Sequence, residues 1–250
     1  MTRFWTGVAR IFHLSLGQMV WSRRTLFVAL IVGGPVLLAV AARLGAIHVT
    51  VRIDDTSVFG AGLFDTIVWV LFLRFAVPVL GVWYGTSLIA DEVEEKTITY
   101  LFVRPIRRGA VLIGKYLAYL ACTACVVLPA VILVYLAVVS RSPAPDRFNI
   151  LDYLGVLALG LAAYGALFAL MGAALRQPLV MGLVFAFGWE QIALIVPGYL
   201  RRFTLAYHLE TVFRGAPSAT SSLLWLLAVT GVCLLLATRA VERREYVLEQ

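Results

Sequence analysis

Arg74 and Glu190 are the first candidates for chemistry, because each interrupts a long apolar run in which charge is expensive. At a membrane-helix centre each costs about 2.5 to 3.5 kcal/mol by insertion scales, so both are expected to face a bundle interior or a polar cavity. There they would pair or line one polar pocket, or serve an ion or proton pathway; the plainer alternative is that each snorkels outward separately. Gly109 to Tyr116, GAVLIGKY, matches a phosphate-binding loop up to its last position. That position disqualifies it, since Tyr116 stands where a Ser or Thr hydroxyl would hold magnesium, and RPIRR rather than a buried strand precedes Gly109. Cys122 and Cys125 have redox spacing, but they and Cys233 sit within apolar runs, where packing is the expected role. His13, His48 and His208 are far apart and form no metal-ligand spacing, and no serine occupies a nucleophile-elbow pattern. The chain is therefore read as holding no catalytic residue, cofactor site or metal site.

A second constellation lies between apolar runs. Ala90 to Lys115, ADEVEEKTITYLFVRPIRRGAVLIGK, concentrates nine charges, with acids first (Asp91, Glu92, Glu94, Glu95) and bases later (Arg104, Arg107, Arg108, Lys115). Ile98, Leu101 and Phe102 fall between them, a pattern suited to a short helix that docks on a protein partner.

The elements that must position these residues are membrane helices. Hydrophobic residues make up 62% of the chain, charged residues only 14%, and the mean hydropathy is +0.92. A soluble chain would have roughly a quarter of its residues charged. The net charge of +7 does not indicate nucleic-acid binding, because the bases gather at the ends of apolar runs, where they orient helices and meet anionic lipid. Six runs qualify as spans, at 25–42, 66–90, 116–139, 153–175, 178–196 and 221–238. With six spans both termini share a side. That side carries 13 Lys and Arg residues and the other seven, so positive-inside counting puts the termini in the cytoplasm. Arg74 and Glu190 then lie about 12 Å and about 9 Å below the outer boundary, a similar depth.

Residues 1–24 carry an apolar stripe at Phe4, Val8, Ile11, Phe12, Leu16, Met19 and Val20, which predicts an interfacial amphipathic helix. They lack the apolar core and small-residue cleavage site of a signal peptide, so the segment is expected to be retained. In the fourth span Ala158, Ala162 and Ala166 recur every four residues beside Gly165, Ala169 and Ala173, so another helix can approach closely. Pro35, Pro78 and Pro129 fall within spans and predict kinks.

DEVEEKTITYLFVRPIRRGAVLIGKYLAYL closely resembles the loop joining the second and third spans in the membrane subunit of the ABC-2 class of ATP-binding-cassette transporters. The matching positions are Glu92, Glu95, Lys96, Thr97, Leu101, Arg104, Pro105, Ile106, Arg107, Gly114 and Lys115. WEQIALIVPGYLRRFTLAYHL, Trp189 to Leu209, resembles the family's fifth-span ending. The resemblance implies an all-α permease: an interfacial helix, six transmembrane helices, a coupling helix within loop 91–109, and a re-entrant or interfacial outer segment at 197–220. It implies an ATPase-coupling surface at Glu92, Glu95, Lys96, Thr97, Leu101, Phe102, Arg104, Pro105 and Arg107. The outer segment would cap the pathway's mouth, with Pro197, Arg201 and Arg202 at an outer gate.

The same resemblance implies partners. ATP and magnesium belong to a separate cytoplasmic ATPase, a second permease copy or a related one completes the pathway in a bacterial or archaeal inner membrane, and export is the expected direction. The competing reading is an ATP-independent secondary transporter or channel that uses Arg74 and Glu190.

Overall fold

Proline and glycine modulate the long apolar helices of this protein without ending them. In the computed structural model the described residues are 2–20, 23–44, 51–53, 56–58, 61–88, 108–139, 149–195 and 199–243. The main helices are α1 (Thr2–Val20), α2 (Arg23–Arg43), α3 (Gly62–Leu88), α4 (Arg108–Val138), α5 (Ile150–Ala174) and α6 (178–195). A 3₁₀ turn at Tyr199–Phe203 leads into the short helix α7 (Leu205–Phe213), and α8 (Ala219–Arg243) follows. Between α2 and α3, β1 (Val51–Ile53) and β2 (Thr56–Val58) pair as a small antiparallel hairpin.

Among the described residues α3, α4, α5 and α8 are long and apolar enough to cross a membrane, and α2 and α6 supply shorter apolar helices. The chain is a multi-pass membrane protein. Helix α4 begins at Arg108, eight residues before the third span expected from hydropathy, so Gly109 to Tyr116 forms helical turns rather than a phosphate-cradling loop. Helix α1 runs against α4, with the Val8 carbonyl and Ile11 beside Gly114, while Leu14 is 65% exposed.

Two helices widen into π geometry. Residues Ile67–Ala76 and Gly81–Gly85 of α3 flank Pro78, whose missing N–H and bulky ring disturb an α-helical ladder; a third π segment, Val184–Trp189 in α6, contains no proline.

Helix α5 is the hub, contacting α3, α4, α6, α7 and α8. Its Leu157, Leu161, Tyr164, Ala166, Phe168 and Ala169 are all buried. Of the small residues read from sequence, Gly165, Ala166, Ala169 and Ala173 face inward and Ala158 faces outward. Gly165 is required because a Cβ there would lie 2.2 Å from the Tyr119 ring, and Gly172 because a Cβ would lie 2.4 Å from the Thr86 carbonyl oxygen. The room left at Gly165 lets Tyr119 of α4 reach the backbone of α5, where it donates to the Leu161 carbonyl at 3.1 Å, and Tyr116 donates to the Ala162 carbonyl at 2.8 Å. Small residues and backbone-directed hydrogen bonds replace the hydrophobic driving force that lipid cannot supply.

Candidate functional site

Polar side chains from α3, α5 and α6 converge with the start of α7. The π segment of α6 ends at Trp189, and Glu190 follows directly. Only 2% of Glu190 is exposed, so its carboxylate must be satisfied by protein. Tyr164 of α5 donates its hydroxyl to one carboxylate oxygen, and the Leu205 amide donates to the other at 3.1 Å. The Ala206 amide faces the same group.

Those amides open α7, whose first N–H groups have no partner within the helix. Thr204 completes the cap: its hydroxyl accepts from the Tyr207 amide at 3.3 Å and donates to the Arg201 carbonyl at 2.7 Å. A carboxylate at a helix N-terminus is also favoured by the helix dipole. Glu190 thus ties three elements together, α6 that carries it, α5 through Tyr164 and α7 through its backbone.

Arg74 lies in the π segment of α3 and donates to the Gln191 side-chain oxygen at 2.7 Å. Arg74 and Glu190 form no direct ion pair, although the guanidinium is near enough to act on the carboxylate electrostatically. They occupy one polar cluster through adjacent residues of α6. Sequence reading did not single out Tyr164, Gln191 or Thr204. A tyrosine deep in an apolar span needs a partner for its hydroxyl, and a Thr before an apolar run is an N-cap signal, so Tyr164 and Thr204 carried usable clues.

Helix α7 folds back on α8. Arg201 reaches Glu210 at 2.9 Å and lies over the Tyr207 ring, while Arg214 meets the other Glu210 oxygen at 3.0 Å. Arg202 lies over Tyr199. The Arg202 carbonyl can only accept, so His208 Nε2 carries the proton it donates there at 2.8 Å, leaving Nδ1 to accept the Ser222 hydroxyl at 3.1 Å. The imidazole stacks on Trp225 of α8 with centroids 4.0 Å apart, and burial lowers its pKa from the ordinary value near 6.5. Pro197 lies outside the described residues.

The coupling residues Glu92, Glu95, Lys96, Thr97, Leu101, Phe102, Arg104, Pro105 and Arg107 also lie outside the described residues. Their flanks do not: Lys115 of α4 donates its ammonium to the Leu88 carbonyl at the end of α3, 3.0 Å away. A cation on the last carbonyls of a helix satisfies and neutralises them, and here it clips together the two helices from which the charged loop emerges.

No curated protein sequence matches the chain. The family model described as ABC-2 family transporter protein matches residues 10–245, which takes in every helix from the middle of α1 to the end of α8. The protein therefore belongs to the ABC-2 family of transporters, as a membrane permease of that type.

Proposed function

We propose that this permease forms the translocation pathway of an ABC-2 exporter for a hydrophobic, amphiphilic or polymeric substrate, driven by a separate cytoplasmic ATPase that supplies the ATP and magnesium sites. In this reading α2 to α6 and α8 are six spans, both termini are cytoplasmic, and a second copy or related permease completes the pathway. Segment 91–109 enters the ATPase, with Glu95 and Arg104 making charged contacts that transmit nucleotide-driven closure.

The observation that carries the reading is the clip between Lys115 and the Leu88 carbonyl. Motion imposed on the loop would reach α3 and α4 together. Through the buried contacts of α3 with α5 it would reach the Glu190 cluster and the outer segment held there. Pro197, Arg201 and Arg202 belong in this account to the outer gate.

A carrier without an ATPase would have to release Glu190 or Arg74 from partners that each already has. Liposomes containing this chain alone test the difference. They are expected to show no proton or ion flux above empty liposomes; a flux abolished by Glu190→Gln would establish the carrier reading instead.

A further inference from the structure

A cleft of about 700 Å³ opens where the start of α5, the end of α7 and the start of α8 meet, and none of the residues that hold Glu190 lines it. Its volume lies within the roughly 300 to 1,000 Å³ typical of small-molecule sites. Val156 and Leu159 of α5, Phe213 of α7, and Leu223 and Leu227 of α8 make its walls apolar. Asp152 and Arg214 stand on its rim. Gly155 faces open space, since a Cβ placed there meets nothing within 4 Å.

The surroundings identify the occupant. Leu224 and Leu227 of α8 are 65% and 51% exposed, and Leu151 of α5 is 67% exposed, so the apolar walls continue into an exposed apolar surface on helices long enough to cross a membrane, a surface suited to acyl chains. The rim carries one charge of each sign. Arg214 uses Nε for Glu210, and among the described residues its two terminal nitrogens make no bond, which leaves a fork suited to a phosphodiester. Among the described residues the Asp152 carboxylate receives only a long 3.4 Å bond from the Asn149 side-chain amide, which suits it to an ammonium.

We infer that this cleft binds a phospholipid with an ethanolamine-type headgroup, its phosphate on Arg214, its primary ammonium on Asp152 and the upper part of one acyl chain between α5 and α8. Bound there, the lipid wedges the outer segment against the bundle. That the lipid comes from the outer leaflet rests on the topology proposed above; binding itself does not.

Native mass spectrometry of the full chain in mild detergent, titrated with phosphatidylethanolamine, phosphatidylcholine and phosphatidylglycerol, tests the assignment. Wild type is expected to retain one phosphatidylethanolamine per chain at concentrations at least tenfold below those needed for the other two. At Gly155 a Cβ meets nothing within 4 Å and helix propensity rises on leaving glycine, so Gly155→Leu, which puts a bulky side chain at the cleft, should abolish that retention while the protein stays folded. Asp152→Asn should remove the preference for ethanolamine over choline, and Arg214→Gln should weaken all three lipids. Equal retention of the three lipids, or retention unaffected by Gly155→Leu, would overturn the site. So would efficient disulfide cross-linking of two chains through Gly155→Cys, which would show that a second copy covers the cleft. Labelling of Leu151→Cys by an impermeant thiol reagent in intact cells reports separately which side the cleft faces: labelling places the lipid in the outer leaflet, and protection refutes that placement alone.

Discussion

Removing the Glu190 carboxylate should loosen α7 before it unfolds the bundle. In Glu190→Ala the Leu205 amide loses a charged acceptor 3.1 Å away, and the Tyr164 hydroxyl loses its partner at the same time. A hydrogen bond to a charged group contributes about 1.5 to 3 kcal/mol, and every 1.4 kcal/mol is tenfold in an equilibrium constant. The local opening equilibrium at the start of α7 should therefore rise about 10- to 150-fold. Global stability is a poorer readout, because removing an ionisable group from a membrane interior returns some of that loss. Hydrogen exchange of the 204–207 amides in detergent or nanodiscs isolates the local effect. Glu190→Gln keeps an oxygen acceptor and should shift exchange by no more than about tenfold, the difference between a charged and a neutral acceptor. Unchanged protection at 204–207 in Glu190→Ala, with α5 and α8 also unchanged, would refute the assignment of Glu190 as the cap of α7.

Gly172→Ala drives a methyl group to 2.4 Å from the Thr86 carbonyl oxygen, so α3 and α5 must separate; a loss of about 1 to 3 kcal/mol or more should appear as a lower thermal midpoint, whereas Gly155→Ala should be neutral or slightly stabilising. Because burial lowers the His208 pKa, its folded-state contribution is complete above its ordinary value near 6.5 and is lost as pH falls through the lowered value. Acidification should then change the emission of Trp225, on which the imidazole stacks, with a midpoint below about 6.5, and His208→Gln should remove that component. Lys115→Met removes the clip to Leu88 and should reduce ATP-driven transport while an ATPase still binds; unchanged transport would show that α3 and α4 need no clip.

The sequence was most informative where one physical constraint dominates. Long apolar runs must satisfy their backbone internally, so helices at α3, α4, α5 and α8 follow from hydropathy. The early start of α4 was not legible, because Arg108 to Lys115 reads as charged loop until helix α1 is seen packed against Gly114. The depth of Arg74 and Glu190 predicted a shared neighbourhood. Their actual partners depend on helix rotation and on the fold-back of α7, which no spacing encodes. Likewise Lys115 reads as an end-of-helix anchor, while its acceptor at Leu88 depends on how the two helices meet.

The central claim, that this permease is driven by a separate ATPase through its 91–109 segment, is tested most directly by a tagged pull-down in mild detergent with ATPase activity measured in the eluate. Wild type is predicted to recover an ATP-hydrolysing partner, and the Glu95→Ala, Arg104→Ala double variant to insert normally but recover little or none. An ATPase-free wild-type eluate would contradict coupling to a separate motor, and equal recovery with the double variant would contradict the assignment of that segment as the contact.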